Sequence, residues 1–136
     1  MSKVELLAHL AEENFIYLKP SPLHGIGVFA LREIQKGCSS IFSNRDWGWE
    51  HLSYDEVAEL PSHSQFMIET YCLFDDKGYY VPSQGFTIMD QALFLNHSET
   101  PNIASINEGE KFVALRTIME GEELVIDYGS ICSTQE

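Results

Sequence analysis

Two short stretches constrain the fold more than any other part of the sequence. Leu93-Phe94-Leu95 runs directly into Asn96-His97-Ser98, and about thirty positions later Leu124-Val125-Ile126 runs into Asp127-Tyr128-Gly129. Neither is helical by pattern. In each, an apolar run that must enter a core ends in polar groups. Asn96 and His97 are therefore expected to project from the edge of a core, and the Tyr128 hydroxyl to sit where a strand leaves a sheet. Polar groups held rigidly by a core are what a binding or catalytic site requires. Taken singly, each also reads as an ordinary hydrogen-bonded buried polar group.

The remaining sequence bounds the class of protein. With 136 residues and 44% hydrophobic content, the chain fits one domain. A domain of this length buries roughly two thirds of its unfolded surface, so folding requires neither a metal nor a disulfide. Cys38, Cys72 and Cys132 are an odd set with no C-x-x-C spacing, which argues against a disulfide framework or structural zinc and for a reducing compartment. Glu5, Glu12 and Glu13 interrupt the N-terminal apolar pattern as no signal-peptide core does. No run approaches the roughly 18 apolar residues of a membrane span, and a cytoplasmic location is expected. The net charge of −13, from 21 acidic and 8 basic residues, repels phosphate backbones and anionic membranes. It attracts a basic protein or peptide, besides serving solubility.

Taken in order, Ser2 can cap a first helix with Val4, Leu7, Ala8 and Ala11 at helical spacing and Leu6 and Leu10 widening the stripe. Phe15 to Leu18 reads as a strand, ended by a stiff connector, Lys19-Pro20-Ser21-Pro22. Gly25 and Gly27 allow a sharp bend or a close approach, but without a third glycine and a following helix they make no dinucleotide fingerprint. Ser39 to Phe42 suits a strand. Asn44 to Trp49 is a loop whose Trp47 and Trp49 serve packing or line a groove. Ser53-Tyr54-Asp55-Glu56 has capping-box form and starts a short helix that Pro61 stops. Phe66 to Phe74 fits helix or strand. Asp75 to Gly78 is a turn that returns Tyr79-Tyr80-Val81 as a strand. Phe86 to Met89 is a further strand, Ile103–Ile106 and Phe112–Leu115 form a hairpin around Glu108-Gly109-Glu110, and Glu120-Gly121-Glu122 turns the chain into the last strand. Many short strands with frequent turns and two short helices make a mainly β domain.

Four features stand in fixed order: His24-Gly25-Ile26-Gly27-Val28-Phe29-Ala30, Asn96-His97-Ser98, Pro101-Asn102, and Gly121-Glu122-Glu123-Leu124 with Asp127-Tyr128. Together they resemble the SET domain of protein lysine methyltransferases, from about Pro20 to Gly129. The resemblance implies a β-clip-like SET fold of several small sheets with short helices and a knot-like C-terminal threading. Residues 1–19 would be an N-terminal extension and 20–136 the SET domain. It also implies S-adenosylmethionine as cofactor, held by His24, Gly25, Ile26 and Gly27 and by Asn96 and His97. Tyr128 would be the catalytic residue at the point of methyl transfer, with substrate lysine entering from the opposite face. Tyr71, Phe74 and Ile126 are candidates for the substrate channel. Tyr79, Tyr80, Trp47 and Trp49 are further aromatic candidates for its wall, each of them also readable as core packing. A phenol with pKa near 10 is a poor base at neutral pH, so Tyr128 is assigned to positioning and electrostatics.

The chain departs from the pattern in places. Leu93 stands where many SET domains carry Arg, and Glu99 where many carry Cys. Only seven residues follow Gly129, so no zinc-bound closing segment is expected and no metal. A second subunit, the N-terminal helix, the tail or the substrate would have to cover the site, and a homodimer is one such arrangement. The favoured reading is a protein-lysine methyltransferase acting on a basic tail, histone or other, with a nuclear or host-delivered location if the tail is a histone's. The alternative is a non-catalytic module that binds a basic partner.

Overall fold

The computed structural model describes residues 2–42, 49–106 and 111–131. Helix α1 (Lys3–Glu12) starts as expected: Ser2 Oγ accepts the Glu5 amide at 3.1 Å while the Glu5 carboxylate accepts the Ser2 amide at 2.8 Å. Its apolar stripe does not enter the core, because Val4, Leu6, Leu7 and Leu10 are all exposed.

Strand β1 (Ile16–Pro20) runs into the first half of the expected connector, taking in Lys19 and Pro20. Pro20 is tolerated because β1 is the outer strand of its sheet, where one face of the backbone needs no ladder partner. It pairs antiparallel with β2 (Ile26–Ala30), Ile16 opposite Ala30. The strand that organises the sheet comes last in sequence. β9 (Glu123–Ile126) lies antiparallel to β2, with Val28 opposite Leu124, and parallel to both β6 (Asn96–His97) and β7 (Ile103–Ile106). Gly121, at φ +88°, supplies the left-handed residue that turns the chain into β9. β7 and β8 (Lys111–Ala114) form the expected hairpin, whose turn, 107–110, lies outside the described residues. Val28, Ile34, Ile103, Ile118, Leu124 and Ile126 are fully buried around β9.

A smaller sheet stands apart. β3 (Trp49–Ser53), β5 (Gly78–Pro82) and β4 (Leu73–Phe74) are antiparallel in the order β3-β5-β4. Helix α2 (Tyr54–Ala58) opens on the Ser53–Glu56 capping box and is followed by α3 (Ser62–Tyr71). The ambiguous stretch 66–74 is thus helix first and strand only at its end. Val57, Ile68, Cys72 and Val81 make a second core cluster.

Two expected strands do not form. At Ser39–Phe42 the backbone leaves the β8 neighbourhood after the Ala114 amide bonds to Cys38 O at 3.0 Å, and burial of Ile41 with Phe42 against Phe112 holds the segment instead. At Phe86–Met89 a tight turn closed by Gly85 N–H to Pro82 O at 2.9 Å, with Gly85 at φ +76°, steers the chain off β5. The Leu93–Leu95 run, read as non-helical, enters through a 3₁₀ turn at Gln91–Phe94, capped by Asp90 accepting from the Ala92 amide at 2.9 Å. Tyr128 is not a strand end either: it opens the short helix α4 (Tyr128–Ile131) just past β9. Among the described residues no helix is long and apolar enough to cross a membrane.

Candidate active site

Two buried asparagines pin β9. Asn102 Oδ1 accepts the Val125 amide at 2.8 Å, its Nδ2 donates to Glu123 O at 2.9 Å, and its own amide donates to Val125 O at 3.2 Å. The side chain thus does the work of a neighbouring strand and leaves the buried backbone satisfied. Asn96 Nδ2 donates to His24 O at 3.0 Å and to Glu123 Oε2 at 2.8 Å. Since both partners only accept, the amide's orientation is settled. Ser21 Oγ donates to the same Glu123 carboxylate at 2.9 Å.

That carboxylate explains the two glycines. A Cβ on Gly27 would collide with Glu123 Oε2, so the close approach at this position is made by the protein's own side chain. Gly25 instead occupies φ +48°, and a Cβ there would have no atom within 4 Å. The loop from Ser21 to Gly25 is closed by Ser21 N–H to Gly25 O at 2.7 Å. Its exposed tip, with His24, Gly25 and Ile26, is tied to Asn96 and so to β6 and β9.

His97 and Tyr128 stand side by side, their rings 5.1 Å apart. The Tyr128 amide donates to His97 Nδ1 at 3.0 Å. An N–H cannot accept, so Nδ1 carries the lone pair and the proton sits on Nε2, leaving a neutral imidazole with an exposed donor. Asp127 Oδ1, 3.9 Å from the same nitrogen, is too distant for a hydrogen bond and accepts from the Gly129 amide at 3.0 Å. The Tyr128 hydroxyl donates to Leu95 O at 2.7 Å. Burial raises its pKa, so the phenol stays protonated at neutral pH. Its proton is committed to Leu95, and the oxygen's lone pairs are what it can offer.

Tyr128 also lines a cavity of about 110 Å³ between the two sheets. Leu93, Leu95 and Ile126 line it from the larger sheet's side, and Tyr71, Leu73, Tyr80 and Trp49 from the smaller one's. None of the lining side chains is charged. Of the three channel candidates, Tyr71 and Ile126 meet here. Phe74 does not: it follows Leu73 on β4 and so points to the opposite face, where it is 61% exposed and packs against Tyr79. Tyr79 is likewise outside the lining, whereas Tyr80 and Trp49 are in it, and Trp47 lies outside the described residues. Cys72, also in the lining, has its thiol pushed up to about 12 by burial and remains unreactive. Sequence reasoning gave no role to Ser21, Asn102 or Glu123. The signal was an acidic residue at the head of an apolar strand, since a part-buried carboxylate there needs donors to sustain it.

The sequence matches the family described as SET domain over residues 25–129. No curated protein sequence matches significantly. Among solved structures, a Plasmodium falciparum protein provisionally assigned as a histone methyltransferase aligns with a TM-score of 0.52 at 23% identity, covering 86% of this chain and 95% of that one. The apo Polycomb Repressive Complex 2 of Chaetomium thermophilum, mutated in Ezh2, aligns with a TM-score of 0.60 at 22% identity over 96% of this chain. The same complex bound to S-adenosylmethionine aligns with a TM-score of 0.58 at 23% identity over 92% of this chain. This chain spans only 18% and 16% of those two chains. Likeness at such identity establishes a shared fold: several small sheets and short helices around a strand that enters last.

Proposed function

The chain belongs to the SET domain family, and from that premise we propose that it is an S-adenosylmethionine-dependent protein-lysine N-methyltransferase acting on a basic protein or peptide. The observation that carries this reading is the position of Tyr128: its hydroxyl is anchored to Leu95 O, its backbone to His97, and its ring to the wall of an uncharged cavity.

S-adenosylmethionine would supply an electrophilic methyl group on a sulfonium, and the residues present fit such a ligand. Among the described residues no donor reaches Asn96 Oδ1, which leaves a largely buried amide with an open acceptor. His97 Nε2 is an exposed donor beside it in sequence, and the space around Gly25 admits a ligand against the backbone of His24, Gly25 and Ile26. Gly27 serves this face indirectly, by making room for Glu123.

On the acceptor side, the aromatic and aliphatic lining strips water from an entering side chain. That favours the neutral amine over the ammonium, whose unperturbed pKa is about 10.4. The proton leaves to solvent during entry, since a Tyr128 phenol that keeps its own proton is no base for it. Tyr128 then positions the amine through its oxygen. Alignment of donor and acceptor is worth up to roughly 7–11 kcal/mol of barrier. The net charge of −13 accelerates encounter with a basic chain.

Titration calorimetry with S-adenosylmethionine, followed by mass analysis of a basic histone preparation incubated with both, tests the reading. Cofactor binding with methyl increments on lysine is the expected result. Tyr128→Phe should lower transfer by about 100-fold or more while the protein remains folded. No cofactor heat, or retained binding of a basic partner with no transfer under any condition, would favour the interaction module.

A further inference from the structure

Behind Tyr80, in the cavity wall contributed by the smaller sheet, lies a buried acid with more partners than its turn requires. Asp75 sits between β4 and β5, its side chain 5% exposed. Oδ1 accepts the amides of Lys77 at 2.8 Å and Gly78 at 2.9 Å, the usual way an Asp closes a turn. An Asn would do this equally well. Oδ2 does something else: it accepts the Tyr80 hydroxyl at 2.8 Å, while His51 Nε2 lies 3.0 Å and 3.1 Å from the two oxygens and must be protonated there to donate. The His51 ring meets the Tyr80 ring edge-on at 5.0 Å, and the Tyr54 hydroxyl donates to the Asp75 carbonyl. His51 and Tyr80 are paired across β3 and β5, and Leu73 and Tyr80 across β4 and β5. The three therefore share the sheet face from which Leu73 and Tyr80 enter the cavity.

We infer that Asp75, backed by His51, is a positioning residue that fixes the Tyr80 ring in the cavity wall and thereby sets the cross-section offered to the acceptor side chain. The inference rests on the reading of this cavity as the acceptor channel. A tyrosine ring held only by packing can rock about its χ angles. One whose hydroxyl is bonded to a carboxylate, itself held by two amides and an imidazole, cannot do so without breaking a charge-assisted bond. Among the described residues, the hydrogen bonds of Asp75 with His51 and Tyr80 are separate from those of the face formed by His24, Asn96 and His97.

Asp75→Asn isolates the effect, because it keeps the Oδ1 acceptor for the turn amides and for His51, while the Tyr80 hydroxyl loses its charged acceptor and at most accepts a weaker bond from a neutral N–H. In protein carrying ¹³C-labelled tyrosine, the Tyr80 ring signals, identified by their loss in Tyr80→Phe, should shift and broaden in Asp75→Asn. Calorimetric affinity for a lysine-containing basic peptide should fall roughly 5- to 20-fold in Asp75→Asn and Tyr80→Phe, a part of what one charge-assisted hydrogen bond is worth, because the bond acts on the peptide only through the ring's position. The double variant should be no weaker than the worse single one, since both cut the same link. S-adenosylmethionine affinity should stay within about twofold, as expected for sites sharing no partner. Unmoved Tyr80 signals overturn the inference whether or not the protein transfers methyl groups. Moved signals with unchanged peptide affinity overturn the role in acceptor fit. If the wild type binds no peptide and no cofactor, it is the methyltransferase reading that fails, and the tyrosine spectra still decide whether Asp75 holds Tyr80.

Discussion

The cavity has two walls built on different principles. On the side of β9, position is enforced through the backbone: Asn102 substitutes for a strand, Asn96 ties a loop to Glu123, and the Tyr128 amide and hydroxyl are both bonded to atoms of His97 and Leu95. Behind it lies a cluster of fully buried Ile, Val and Leu. On the side of the small sheet, position is enforced through rings and a single acid, over a core of just Val57, Ile68, Cys72 and Val81. Backbone-directed bonds tolerate one residue type each. Ring packing accepts several aromatics in the same volume. Under the proposed activity, the first wall would hold the geometry of transfer and the second would fit a particular acceptor.

Breaking the first wall should have the largest effect. Asn102→Leu would leave the Val125 amide and the Glu123 carbonyl without partners inside the core, at about 1–3 kcal/mol each. We expect urea unfolding to show a loss of roughly 2–5 kcal/mol; a change below about 1 kcal/mol would mean that water or a shifted strand takes over the bonds. Gly27→Ala comes next, because its methyl group displaces the Glu123 carboxylate from Asn96 and Ser21. It should weaken S-adenosylmethionine binding about tenfold as the His24 loop loses its tie. Gly25→Ala, with open space but φ +48°, should cost only about 1–2 kcal/mol of stability, from backbone strain.

The same contrast decides how much could be read from the sequence. Asn96, His97 and Tyr128 were legible because each is a polar residue in a fixed order beside an apolar run, and that run itself announces the core. The hairpin β7–β8, the Ser2 cap and the Ser53–Glu56 capping box were legible from local rules alone. The second wall was not. Phe74 and Tyr80 are both aromatic residues flanking one turn, and which of them faces the cavity depends on the register of β4 against β5, with Phe74 opposite Tyr79 and Leu73 opposite Tyr80. Slipping β4 by one would set Phe74 opposite Tyr80 and bring it to the cavity face. Asp75 looked like any turn aspartate because its second oxygen is used by residues distant in sequence or on the far side of the turn. The strands expected at Ser39–Phe42 and Phe86–Met89 had the right composition, but tertiary contacts and a left-handed glycine took their backbones elsewhere.

Acid should probe the second wall more gently. Burial alone would raise the Asp75 pKa, but the bonds from His51, the Lys77 amide, Tyr80 and the Gly78 amide outweigh it and hold it well below the usual carboxylate range. A carboxylate depressed in the folded state contributes stability that is complete above its unfolded pKa of about 3.9 and is lost as pH falls through the folded value. Wild-type melting should therefore be insensitive to this group from neutral pH down to about 4 and fall only in stronger acid. Asp75→Asn should start lower and have a shallower acid limb. Equal acid slopes in the two proteins would remove the carboxylate from the account.

The smallest effect belongs to the turn that feeds β9, and it separates charge from backbone once more. Arg116 Nη1 and Nη2 donate to Glu122 at 3.1 and 2.8 Å, a two-point pair that raises the Arg116 pKa and lowers that of Glu122. Glu122 Oε1 also accepts the Met119 amide at 2.7 Å. The Arg116 side chain is 55% exposed, so solvent screens the pair, and Arg116→Ala should cost under about 1 kcal/mol and less still in high salt. Glu122→Ala removes the same pair together with the acceptor for the Met119 amide, and should cost roughly 0.5–1.5 kcal/mol more. That difference should survive high salt, since it is a hydrogen bond to the backbone and not an interaction between two screened charges. Equal losses for the two variants would mean that the ion pair, and not the backbone bond, shapes the entry to β9.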